Sequence, residues 1–157
     1  VTPAWRVSGI YPGMPVDVYR TAYTPEVDLD SPEITWKTVR PEGDGLIDLR
    51  KHVDERPGFL AYGTAEFELD EATPLVFRFG SNDWGTIFLD GKQVFEYAEG
   101  SGRVAEPDQD CFVMNVAKGR HIVTIKCGDL GGSAWWYFFR ISDMKGEAVE
   151  GLRWITE

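Results

Sequence analysis

Histidine and cysteine are scarce in this sequence. Two His (His52, His121) and two Cys (Cys111, Cys127) occur in 157 residues. Neither histidine shares a metal-ligand spacing with the other or with the cysteines, so no zinc-type motif is present. There is no Gly-x-Ser-x-Gly nucleophile elbow and no phosphate-binding glycine loop; "GDGL" and "GDLGG" open no helix and read as turns. No apolar run approaches the ~18 residues that span a bilayer. Basic residues are outnumbered, 16 Lys and Arg against 26 Asp and Glu, for a net charge of −10. Phosphate contacts need clustered cations, so neither nucleic acid nor an anionic membrane is an expected partner. No signal peptide is visible, and the chain begins at Val1. It therefore reads as a piece processed or excised from a larger protein, with a secreted, extracellular or periplasmic location expected.

What the sequence has is alternation and aromatic residues. Six Trp, six Tyr and nine Phe lie mostly in short stretches of period two. Ala65, Phe67 and Leu69 alternate with Thr64, Glu66 and Glu68, the pattern of a half-buried strand. Similar stretches predict strands at 5–10, 34–39, 46–49, 75–79, 86–89, 93–97, 111–116, 120–127, 135–142 and 149–156. Turn signals separate them, among them Gly43-Asp44-Gly45, Pro57-Gly58, Asp90-Gly91 and Lys118-Gly119. Asp-Gly supplies the two positive φ values of a type I′ hairpin turn. A short helical turn is expected at 49–55, stopped by Pro57. The pattern-poor stretch 12–32 is expected to wrap the sheets as an extended loop. These signals predict one all-β domain over residues 1–157, a two-sheet antiparallel β-sandwich of jelly-roll type.

The two cysteines flank Lys118-Gly119. A two-residue turn there sets Cys111 against Lys126 and Cys127 against Asp110, on opposite faces, which predicts free thiols; a shifted register permits a bridge. Catalysis by this domain alone is not expected, because no carboxylate pair can be assigned the ~5–10 Å separation of a glycosidase. No cofactor is required. Structural Ca2+ is a weaker candidate, with oxygen ligands from Asp108, Gln109 and Asp110 or from Glu26, Asp28 and Asp30. Neither group matches an EF-hand loop, and solvated carboxylates are the plainer reading.

The aromatic residues near turns are the candidate binding groups. Trp84 falls in "GSNDWG", where a turn normally takes a small polar residue. It serves either as a stacking platform for a sugar ring, with Asn82, Asp83 and Arg103 binding hydroxyls, or as a lid over the end of the core. Tyr97 and Trp135 are possible neighbours. Adjacent strand residues point to opposite faces, so at most one of Trp135 and Trp136 enters the core, and the parity shared with Phe138 favours Trp136.

The segments "FRFGSNDWGTIFLDGKQVF", "PDQDCFVMNVAKGRHIVTIKC" and "GGSAWWYFFRISD" resemble a bacterial galactose-binding-like β-sandwich module of the kind appended to secreted glycoside hydrolases. Ser81, Asn82, Asp83, Asp90, Gly91, Asp108, Gln109, Asp110, Lys118, Gly119, Lys126, Gly131, Gly132, Trp136, Arg140, Ile141 and Asp143 carry it. Trp84 stands where the family favours glycine, and Phe88 where it has a strand tryptophan. The resemblance implies a non-catalytic carbohydrate-binding module that holds a neighbouring catalytic domain on a polysaccharide or oligosaccharide. The alternative is a structural sandwich that packs against that neighbour without binding sugar.

Overall fold

A computed structural model describes residues 2–53, 58–132 and 134–156. The alternation at 64–69 belongs to a longer strand, β5 (Phe59–Leu69). On one face Ala61, Ala65, Phe67 and Leu69 enter the main core. On the other face Leu60 and Tyr62 enter a second apolar cluster. β5 is the spine of an eight-stranded sheet. Along one edge it pairs over its length with β10 (Gly119–Gly128), which pairs in turn with β7 (Trp84–Leu89), and that with β8 (Lys92–Tyr97). Along the other edge three short strands lie end to end: β12 (Leu152–Ile155) opposite residues 66–69, β1 (Trp5–Val7) opposite 63–64, and β2 (Tyr11–Pro12) opposite 59–60. β3 (Lys37–Val39) extends β1.

The second sheet has four strands in the order β4 (Leu46–Asp48), β11 (Trp136–Ser142), β6 (Thr73–Asn82) and β9 (Asp110–Val116). The expected two-sheet antiparallel sandwich is thus the observed fold. Between the sheets lie Trp5, Phe67, Phe77, Phe79, Trp135, Tyr137 and Phe139. Trp5 meets Tyr137 edge-on at 5.4 Å between ring centroids, and Phe77 meets Phe139 at the same distance. Such pairs add about 0.5–1.5 kcal/mol beyond the area they bury.

One expected connection changes, and the cysteine register with it. Asp90-Gly91 is a hairpin turn with φ of 52° and 80°, as expected. Lys118-Gly119 is not one: β9 belongs to the four-stranded sheet and β10 to the eight-stranded sheet, so this turn crosses the sandwich. Cys111 therefore lies opposite Arg78, and Cys127 between Ala61 and Gly85. Both thiols are free, Cys111 exposed and Cys127 buried. The helical turn after β4 is a 3-10 turn, Leu49–Lys51, capped by Asp48 accepting from the Arg50 amide. Its expected end at Glu55 and stop at Pro57 lie outside the described residues.

The wrapping segment is more regular than expected. It holds two short helices, α1 (Val16–Tyr19) and α2 (Thr24–Val27). Tyr19 from this segment joins Leu60, Tyr62 and Trp84 on the outer face of the eight-stranded sheet. That face carries a second core outside the sandwich.

Gly85 marks how tightly the two sheets meet. A Cβ there would stand 2.5 Å from two ring carbons of Phe79, itself wholly buried. Gly85→Ala must push the ring aside and is expected to cost about 1–3 kcal/mol, read as a lower midpoint in urea at unchanged slope.

Candidate functional site

Trp84 is not on a loop. β6 ends at Asn82 and β7 begins at Trp84, so the chain steps from one sheet to the other through Asp83 alone. Backbone and side-chain bonds of Asp83 hold this corner. Its N–H donates to the Gly128 carbonyl at 2.8 Å, and its carboxylate accepts from the Leu130 N–H at 2.8 Å and from Asn82 Nδ2 at 2.9 Å. Burial raises the Asp83 carboxyl above its ordinary pKa, against the pull of these donors. The Asn82–Asp83 peptide is cis. A Cβ on Gly102 would come within 2.4 Å of Asp83, so the 98–109 loop lies directly on the corner.

Arg103 fastens that loop. Its guanidinium sits 4.0 Å over the Tyr97 ring, donates to Asp110 Oδ1 at 3.1 Å, and reaches the Ser81 carbonyl and hydroxyl at 3.3 and 3.2 Å. The structure thus brings Asn82, Asp83, Trp84, Tyr97 and Arg103 together, but as a closed knot. Trp84 is 6% exposed; its Nε1 donates to the Glu99 carbonyl and its ring meets Tyr19 edge-on at 5.3 Å. It covers neither a sandwich end nor open solvent, but anchors the outer core. Trp135 stands apart in the main core, wholly buried, with Nε1 donating to the Cys127 carbonyl at 3.2 Å. The expected parity is reversed: Trp135 shares the inward face with Tyr137 and Phe139, and Trp136 is the half-buried one, under the Arg50 guanidinium at 5.0 Å.

The open concave surface lies two strand positions further along. Trp84, Thr86 and Phe88 form one outward row of β7. Thr86 sits between Lys126 and Glu96 on the flanking strands, and Phe88 between Thr124 and Gln93. The wrapping segment covers part of this face and leaves a groove between α2 and β8. The groove holds a polar hollow of 310 Å3 lined by Arg20, Glu26, Thr86, Phe88, Gln93, Glu96 and Lys126.

A separate depression of 340 Å3 lies beside Arg78, Asp108 and Arg140 on the other sheet. The groove consists of the 310 Å3 polar hollow and a second hollow of 410 Å3, lined by Pro25, Asp28, Asp30, Asp90, Ile122 and Thr124 among others. Glu26 and Phe88 line both.

Lys126 closes the inner end of the groove. It interrupts the apolar run of β10, is 2% exposed, and bonds Glu26 Oε2 at 2.6 Å and the Thr21 carbonyl at 2.9 Å. The rings of Tyr19, Tyr62 and Tyr23 surround its Nζ at 5.0, 5.6 and 5.8 Å. Burial lowers its pKa, and Glu26 offsets only part of that. Glu26 also accepts from the Tyr62 hydroxyl. At the rim, Arg20 pairs with Glu96 at 3.0 Å.

Of the carboxylates considered for calcium, Asp108 and Asp110 have arginine partners. Asp108 takes two bonds of 2.8 Å from Arg140, which hold its carboxyl below the usual range, and Asp110 takes Arg103. Among the described residues no group of three or more His, Cys, Asp or Glu is placed to hold a metal ion. A larger cleft of 620 Å3 lies on another side, where β4 stops short of the end of β11, with Phe139, Ile141, Val149, Leu152 and Trp154 in its walls.

No family model matches this chain, and no curated protein does. Solved structures do. A β-glucosidase from Kluyveromyces marxianus in complex with glucose is 14% identical, with a TM-score of 0.56 over 93% of this chain. A second structure of a β-glucosidase from that organism gives 13% and 0.56. This chain spans 17% and 16% of the length of those two chains. The PA14 domain of the antifreeze protein MpAFP is 14% identical with a TM-score of 0.47, covering 99% of this chain and 90% of that one. At such identity the β-glucosidase likeness is one of fold: a β-sandwich distantly resembling part of a glycoside hydrolase.

His121 stiffens the far end of the groove. Its Nδ1 lies 2.7 Å from Asp90 Oδ2 and its Nε2 2.7 Å from the Ala117 carbonyl, while Asp90 Oδ1 accepts from the Ile122 N–H. Partial burial lowers the imidazole pKa, but the bonds to Asp90 and Ala117 outweigh it and the net shift is upward. A raised folded pKa stabilises most fully below the unfolded value of about 6.5, and the gain is lost as pH rises through the folded value. The stability difference between wild type and His121→Ala, from urea melts at a series of pH values, is expected to shrink across that window.

Proposed function

We propose that this chain is a non-catalytic, secreted carbohydrate-binding domain whose sugar site is the groove between α2 and β8. It would hold a neighbouring enzyme on a polysaccharide. The observation that carries this reading is the floor of the groove: Phe88 shared by two hollows, with Gln93 beside it and Arg20–Glu96 at the rim. Phe88 is 7% exposed and gives the groove an apolar floor rather than an open stacking face; CH groups of a pyranose pack on it at about 25 cal/mol per Å2 buried. Fixed amide, hydroxyl and charged groups around it orient the hydroxyls. The hollows, 310 and 410 Å3, lie at the small end of the ligand-site range of about 300–1,000 Å3. Asn82, Asp83, Trp84, Tyr97 and Arg103 then act as the frame behind the site, since Trp84 shares the outward row of Thr86 and Phe88.

A second reading, a sandwich that packs on a catalytic neighbour, is favoured by the larger apolar cleft beside Phe139, Leu152 and Trp154. Calorimetry against a broad panel of oligosaccharides separates the two. Binding is expected for at least one sugar, with a loss of tenfold or more in Phe88→Ala and a smaller loss in Gln93→Ala, both checked for native circular dichroism. Flat traces for every sugar would sink the carbohydrate reading, and binding indifferent to both substitutions would move the site out of the groove.

A further inference from the structure

We infer that the groove prefers a sugar bearing a protonated amine, a hexosamine-type oligosaccharide, over neutral or uronic sugars; this rests on the carbohydrate reading above. The charges of the groove are unevenly matched. At the inner end both cations are taken, Arg20 by Glu96 and Lys126 by Glu26. At the hairpin end Asp28, Asp30 and Asp90 line the 410 Å3 hollow, and no Lys or Arg lines it. Asp90 is engaged by His121 and the Ile122 amide. Asp28 Oδ1 accepts from the Asp30 amide, and the Asp30 carboxylate has no partner among the described residues.

An independent feature of the same hollow points to a ligand. Thr124 lies on its floor, only 3% exposed, and its hydroxyl has no hydrogen-bond partner among the described residues. The hydroxyl opens onto the hollow, and a sugar hydroxyl or amine entering it would take the place of water as its partner. Phe88 supplies the adjoining apolar surface. A ligand that presents hydroxyls and an ammonium fits this combination of an unpaired hydroxyl and unmatched carboxylates. A uronic acid would meet like charge, and a neutral sugar would leave the carboxylates unmatched.

The test is calorimetry on the full chain with glucosamine oligomers, their N-acetylated counterparts and neutral glucose oligomers of equal length. Two partly exposed charge contacts give a preference of about tenfold for the glucosamine oligomers. The preference should vanish in Asp28→Asn/Asp30→Asn and persist in Glu71→Gln/Glu150→Gln, which removes equal charge outside the groove. Three results overturn the inference. Neutral or N-acetylated oligomers that bind as well, lost in Phe88→Ala, leave the carbohydrate reading standing without the amine preference. An equal loss in the Glu71/Glu150 variant assigns the preference to net charge. No binding by any of these oligomers overturns this inference, and the carbohydrate reading falls with it only if the broad sugar panel is flat as well.

Discussion

The ion pair between Lys126 and Glu26 is the constraint on which the outer half of the molecule depends. A lysine in the middle of β10, 2% exposed, is tolerable only if something replaces its lost water. Removing one partner of such a pair costs about 3–5 kcal/mol, because the other charge is left buried alone. Glu26 and the Thr21 carbonyl come from the wrapping segment, and the surrounding rings come from that segment and from β5. The sheet therefore cannot be separated from its wrapping without exposing a charge and a set of aromatic rings together. The shape of the groove follows, since one of its walls is that segment.

Behind the groove, the end of β7 is held by the corner at Asp83. The chain changes sheets there in one residue, and the Asp83 carboxylate takes up amide donors that a longer turn would have satisfied internally. Arg103 then presses the 98–109 loop against the corner through Ser81, Asp110 and Tyr97. Trp84 follows immediately, and its position under Tyr19 joins the corner to the wrapping segment. A tryptophan where the resembling family favours glycine is thus explained by packing: the ring fills the space between two covering segments.

The fold was legible in the sequence because period-two alternation and turn residues are local signals. The strand from 75 to 79 and the Asp90-Gly91 hairpin were read correctly for that reason. The connection at Lys118-Gly119 was not, because a turn within one sheet and a turn between sheets use the same residues. Trp84, Arg103 and Tyr97 lie together while Trp135 does not, and their burial depends on a loop and a segment distant in sequence. The groove was the least legible part. Its one local sign is Thr86, Thr124 and Lys126, polar residues in strands whose other face is apolar. Glu26 was weighed only as an oxygen ligand, because nothing near it in sequence reveals a lysine a hundred positions away.

The three short strands along one edge of β5 have a consequence for the chain as a whole. β12 runs along β5 until Ile155 stands opposite Glu66, and β1 continues the same line, with Arg6 opposite Thr64. The last strand therefore points into the first, head to tail. A short linker between them would close the backbone into a ring with every strand in place, and new ends opened at the Asp90-Gly91 turn would give a circular permutant of the same sandwich.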